Sequence, residues 1–149
     1  MGRSAPATDD EQLIADLMAQ YLNTAAFLEL ARAAQACAAA PCSCAKTPLE
    51  GWQSQPLSLD ETQFEEIGTL LREDDPEPTF TEYLPGKTTY WAADAPIAPR
   101  YFPYNRCAVW QCSLCGRLYL RYVEGGGYFV DRRIRAVQAT LIEDVPLEA

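Results

Sequence analysis

The stretch WQCSLCGRLYLRY, Trp110 to Tyr122, decides how this chain is read. Two cysteines stand three residues apart and Gly116 follows them. Leu118, Leu120 and Tyr122 then alternate with Arg117, Tyr119, Arg121 and Val123. A period of two marks a strand with one buried face. Cys112 and Cys115 therefore fall in the hairpin turn before that strand, where glycine tolerates positive φ and both sulfurs can face one side. So placed, they are half of a metal clamp, a redox couple or a pair of buried thiols.

Working outward, residues 106–135 read as a three-stranded antiparallel meander. Gly125-Gly126-Gly127 supplies the second turn, after which Tyr128, Val130 and Ile134 resume the apolar face. A three-residue glycine loop pairs Glu124 with Tyr128, Tyr122 with Val130 and Leu118 with Ile134, and sets Arg121 against Asp131 and Tyr119 against Arg133. A two-residue loop would set inward positions against outward ones, which argues against it.

Upstream, Thr8-Asp9-Asp10-Glu11 is a capping-box pattern, and Ile14, Leu17, Met18, Tyr21, Ala25 and Leu28 recur at helical spacing. A long helix is expected from about Asp9 to about Ala38, ended by Pro41. A second capping box, Ser58-Leu59-Asp60-Glu61, precedes Phe64, Ile67, Leu70 and Leu71, which predicts a short helix over about Leu59 to Arg72. From Asp74 to Tyr104, six prolines interleave with seven aromatic residues. That mixture predicts an ordered, irregular cover, with short strands near Phe80 to Tyr83 and Thr88 to Trp91.

The expected fold class is thus α+β: two helices packed on a small antiparallel meander. One domain is expected over 1–149, with a helical part at about 9–72, a cover at 74–104, the meander at about 105–136 and a C-terminal tail at 137–149. A chain of 149 residues buries roughly 70% of its unfolded surface, so size alone demands no staple.

The start MGRSAPATDDEQ has no apolar run behind a basic residue, and the apolar-rich run Ala31 to Ala40 is broken by Arg32 and Gln35. Neither export nor membrane spanning is expected. A cytoplasmic location would keep the six cysteines reduced, favouring metal binding or free thiols over disulfides. Histidine is absent, which removes Ser-His-Asp and Cys-His catalysis and leaves cysteine as the principal transition-metal ligand.

The segment from Trp110 to Arg121 resembles a zinc-ribbon knuckle, the Cys-x2-Cys-Gly turn that joins two strands in rubredoxin-like and zinc-ribbon proteins. The resemblance implies a metal-binding turn and no particular activity. A zinc ribbon completes four thiolates with a second such turn. Here the other close pair is Cys42-Ser43-Cys44, in a loop after a helix. In an extended loop residues two apart face one side, so Cys42, Cys44, Cys112 and Cys115 are the candidate ligands of one structural zinc. Cys107 lies about 16 Å along the strand from Cys112, too far to share the ion, and reads as a packing thiol. Cys37 reads the same way, with a reserve role as a replacement ligand.

Charge is uneven. Residues 45–79 carry −7 and residues 105–135 carry +4, within a net −9. An acidic exterior argues against nucleic acid as partner. Arg117, Arg121, Arg133 and Arg135, with Arg132, form a candidate surface for an anion or a partner. Two function classes follow. One is a non-enzymatic cytoplasmic zinc protein acting through protein–protein contact, as an adaptor or an acidic inhibitor of the immunity type, with a basic partner. The other is a small enzyme using the carboxylates near Glu73-Asp74-Asp75 or the thiol of Cys112. No nucleophile elbow or phosphate-binding loop supports the second.

Overall fold

A computed structural model describes residues 20–37, 41–126 and 129–147. It is mostly β. Among the described residues there is one α-helix, α1 (Thr24–Cys37), and one five-stranded antiparallel sheet of β1 (Gln53–Ser54), β2 (Phe64–Thr69), β3 (Ala108–Cys112), β4 (Leu118–Gly126) and β5 (Phe129–Ala136). The strand order is β1-β5-β4-β3-β2. This corrects the expected α+β arrangement of two helices on a meander.

The long helix is shorter than its pattern implied. Residues 9–19 lie outside the described residues. Gln20 to Leu22 run extended beside β2, the Leu22 amide donating to Thr69 O at 2.9 Å and the Thr69 amide to Gln20 O at 2.9 Å. The helix starts only after Asn23, whose Oδ1 accepts from the Ala26 amide at 2.8 Å and so satisfies one of the free amides of the first turn. Its buried stripe is Phe27, Ala31 and Ala34, while Tyr21 and Ala25 are exposed.

The second helix is absent, and β2 occupies its place. Asp60 caps a single 3-10 turn, Glu61–Gln63, by accepting from the Thr62 amide at 3.0 Å. The chain then extends. The three-residue spacing of Phe64 and Ile67 comes from a bulge: Glu66 pairs with Trp110 and Gly68 with Val109, leaving Ile67 as the extra residue. Phe64 thereby packs near Trp110 and Tyr119, and Ile67 and Leu70 join the other core. Gly68 is required there, since a Cβ would stand 2.6 Å from Leu22 Cδ1.

The meander strands are present, but their register differs from the expectation by three residues. Tyr122 faces Arg133, Arg121 faces Ile134, Leu120 faces Arg135 and Tyr119 faces Ala136. Gly125 and Gly126 belong to β4, and Gly126 pairs with Phe129, so the three-residue glycine turn is not formed. Residues 127 and 128, including the expected Tyr128 partner, lie outside the described residues.

The new register turns two arginines toward the interior, and their donors are met there. Arg135 is fully buried and donates to Ala95 O at 2.6 Å, to Glu50 O at 3.1 Å and to the Tyr104 hydroxyl. Arg133 donates to Asp131 at 2.9 Å and to the hydroxyls of Tyr90 and Tyr122 at 3.1 and 3.3 Å. Matching apolar to apolar could not anticipate this, because Tyr90 and all the Arg135 acceptors come from distant segments.

Both faces of the sheet are covered, which explains why Leu118, Tyr119 and Leu120 are buried in succession. On the first face, Val109, Leu118, Leu120 and Tyr122 pack with Phe27, Ala31, Trp52, Ile97 and Tyr104. On the second, Cys112, Tyr119 and Ile134 pack with Cys44 and Leu49. Residues 74–104 form no regular element. Glu82 makes an isolated bridge to Phe102 and Ile97 one to Ile142, so the short strands expected near 80–83 and 88–91 are not present.

Candidate metal centre

The second face carries the sulfurs. Cys112 ends β3, and the turn after it closes with the Gly116 amide donating to Cys112 O at 2.9 Å and the Cys112 amide to Arg117 O at 2.9 Å. Gly116 sits at φ +85°, a left-handed conformation that glycine adopts without penalty. Across from this turn, Cys42 is extended and a 3-10 turn, Ser43–Ala45, follows it. The loop is therefore tighter than the extended run expected from the sequence, yet both its sulfurs face the knuckle.

The Sγ atoms of Cys42, Cys44, Cys112 and Cys115 all lie within 4.8 Å of one another. Two contacts cross between the halves: Cys42 to Cys112 at 3.7 Å and Cys44 to Cys115 at 3.4 Å. Four thiolates around a tetrahedral zinc at 2.3 Å stand about 3.8 Å apart, so the donor set and its spacing fit such an ion. Four cysteines close together can hold a metal ion, and four thiolates favour a soft or borderline one.

Each sulfur also meets a donor. Gln63 Nε2 lies 3.4 Å from Cys42 Sγ and 3.3 Å from Cys112 Sγ, one from each half. Its amide is oriented by Ser43, whose hydroxyl donates to Gln63 Oε1 at 3.1 Å. Its backbone carbonyl accepts from both the amide and the hydroxyl of Ser113, at 2.8 and 2.9 Å. Gln63 thus ties both halves together. Tyr119 donates its hydroxyl to Cys44 Sγ at 3.2 Å, and Arg117 is bonded to Cys115. Sequence reading missed Gln63 because it fell inside the expected second helix. Tyr119 was missed because the alternation placed it on the outward face.

The environment separates the thiols. Burial pushes Cys44 up, with the Tyr119 hydroxyl opposing it. Burial also acts to raise Cys112, but the Gln63 side chain and the amides of Cys115 and Leu114 outweigh it, and Cys112 comes down to about 6. Cys107 is apart from the cluster, fully buried in the first-face core, where its thiol donates to Pro103 O at 3.2 Å. Cys37 ends α1, and its side chain lies outside the described residues.

The arginines named from sequence do not share one surface. Arg133 and Arg135 are on the first face with the partners given above. Arg121 is on the second, its guanidinium 3.5 Å from the centroid of Trp110 and 3.5 Å from Glu61. Arg117 stands beside the sulfurs.

No family model, no curated protein and no solved structure matches the chain. The zinc-ribbon likeness accordingly stays with the knuckle. Among the described residues no helix is long and apolar enough to cross a membrane.

Proposed function

We propose that Cys42, Cys44, Cys112 and Cys115 hold one structural zinc ion in a non-enzymatic cytoplasmic protein that acts by binding another protein. The observation that carries this reading is the convergence of four sulfurs within 4.8 Å. Four protein thiolates close a tetrahedral zinc and leave no position for water or substrate, which separates structural from catalytic sites. Hydrogen bonds to all four sulfurs spread the excess negative charge of such a centre, as outer partners do in metal sites generally. Elemental analysis of protein purified under reducing conditions tests it, with about one zinc per chain expected. Zinc near zero, with the four thiols freely alkylated, removes the reading.

The contact surface is the acidic one. Asp60, Glu61, Glu65, Glu66, Glu73, Asp74 and Glu77 are all exposed, and a net charge of −9 steers toward basic partners. In-cell cross-linking should enrich basic proteins. Changing Glu65, Glu66, Glu73 and Asp74 together to their amides should abolish that enrichment, and an unchanged set of partners argues against this surface.

A further inference from the structure

The same four-sulfur centre has a second property that rests on the metal reading but is tested separately from it. Each cross-half contact joins one half-buried sulfur to one buried sulfur. Cys115 meets Cys44 at 3.4 Å, and Cys42 meets Cys112 at 3.7 Å. Cys44 and Cys112 are only 3% and 1% exposed, whereas Cys42 and Cys115 are partly open to solvent. A small oxidant therefore meets the second pair first, and each already has a buried partner in contact to resolve it. From this geometry we infer that the centre is a peroxide-sensitive clasp, in which Cys115 and Cys42 are oxidised first and close disulfides to Cys44 and Cys112 as the metal leaves.

The chemistry balances. The Cys115 thiolate attacks one oxygen of hydrogen peroxide, an S–O bond forms, the O–O bond breaks, and hydroxide departs to take a proton from solvent. The Cys44 thiolate then attacks the sulfenic sulfur, the S–S bond forms, the S–O bond breaks, and a second hydroxide leaves as water. Two thiolates lose two electrons in total and one peroxide becomes two waters. The Cys42 and Cys112 pair consumes a second peroxide by the same steps. Zinc loses its ligands and is released. These bridges connect the same two segments that the metal connects, and the Ser43, Gln63 and Ser113 hydrogen bonds hold those segments in register while the exchange takes place. Oxidation would thus change the metal content without opening the clasp.

The sequence makes this readable. Trypsin cuts after Arg32, Lys46, Arg106 and Arg117, so residues 33–46 carry Cys37, Cys42 and Cys44, and residues 107–117 carry Cys107, Cys112 and Cys115. Zinc-loaded protein, and in parallel reduced protein stripped by a chelator, are treated with hydrogen peroxide, alkylated, digested without reduction and analysed by mass spectrometry. The expected product is the two peptides joined, with fragmentation placing bridges at Cys44 to Cys115 and Cys42 to Cys112, and with zinc appearing in a chromophoric chelator in step. Peptides that stay separate overturn the inference, whether they carry internal Cys42–Cys44 or Cys112–Cys115 bridges, only sulfinic acids, or no change. Bridges through Cys37 or Cys107 also overturn it. Zinc content before oxidation reads the metal assignment independently. Joined peptides from a chain that never held zinc would keep this pairing and remove the zinc.

Discussion

The two faces of the sheet are held by different means. The first face is closed by a broad core in which α1 and the 74–104 segment cover β3, β4 and β5, and its polar demands are met by many acceptors around two inward arginines. The second face has a small apolar cluster of five buried residues, two of which are the candidate ligands Cys44 and Cys112. Apolar burial at about 25 cal/mol per Å² gives such a small cluster little to hold a loop with, whereas a structural zinc contributes on the order of 10 kcal/mol. Under the proposed zinc reading, one face depends on packing and the other on coordination. Disturbing one should leave the other recognisable.

The sharpest way to separate the faces is to remove one ligand. Cys42→Ser and Cys112→Ser should each abolish zinc binding and lower the melting temperature substantially and by similar amounts. Each would detach the same proposed ion, which would join segments separated by the 67 residues from Ala45 to Gln111. Thermal unfolding beside metal stoichiometry measures this. If Cys42→Ser keeps full zinc while Cys112→Ser loses it, the centre belongs to the hairpin alone and the comparison fails.

The converse experiment breaks the first face. Arg135→Met removes a buried cation and takes the Arg135 donors from the carbonyls of Ala93 and Ala95, while the Tyr104 hydroxyl and Glu50 O keep the side chains of Trp52 and Gln138. Each abandoned buried acceptor costs about 1 to 3 kcal/mol, partly recovered through the apolar replacement, so a loss of about 3 kcal/mol is expected in denaturant unfolding. Zinc content of the folded fraction should stay at its full value. A variant that unfolds normally but loses metal would show that the faces are coupled.

Gln63→Leu probes the seam between loop and knuckle. It removes the donor shared by Cys42 and Cys112 and the acceptor for Ser43. Outer partners of metal ligands typically govern 10- to 100-fold in affinity, or about 1.4 to 2.7 kcal/mol. Competition with a chromophoric chelator should show weaker zinc binding in that range, with the first-face core unchanged in near-ultraviolet circular dichroism. Unaltered affinity would mean that the sulfurs are positioned without Gln63.

What the sequence disclosed about these faces follows from the range of each interaction. The knuckle was legible because its whole grammar, Cys-x2-Cys-Gly before an alternating strand, lies within a dozen residues. Its partner Cys42-Ser43-Cys44 was legible by elimination in a chain without histidine. The second helix was misread because a bulge at Ile67 imitates helical spacing, and because within Ser58-Leu59-Asp60-Glu61 it is Asp60 that caps, for one 3-10 turn. The β4–β5 register was misread because Arg133 and Arg135 are inward only by virtue of Tyr90, Tyr104, Glu50 and Ala95, which local pattern cannot supply. Long-range polar satisfaction overrode periodicity in the β4–β5 register, and a local bulge imitated it in β2.

Cys107 supplies the smallest effect and the finest test of the division. Its thiol is buried in the first-face core, apart from the four-sulfur cluster, and burial pushes its ionisation well above the ordinary range. It is also on β3's approach, five residues before Cys112, close in sequence yet on the other side of the division. Cys107→Ser exchanges a small hydrophobe for a hydroxyl that can still donate to Pro103 O, as the thiol does at 3.2 Å. The cost is the burial of a more polar group and a slightly smaller volume, about 1 to 2 kcal/mol, not the loss of a ligand. Melting should fall modestly, zinc should remain at its full stoichiometry, and affinity in the chelator competition should match the parent protein. A fall in zinc content with Cys107→Ser would place a first-face residue inside the second-face centre. The two-means account of this sheet would then have to be abandoned.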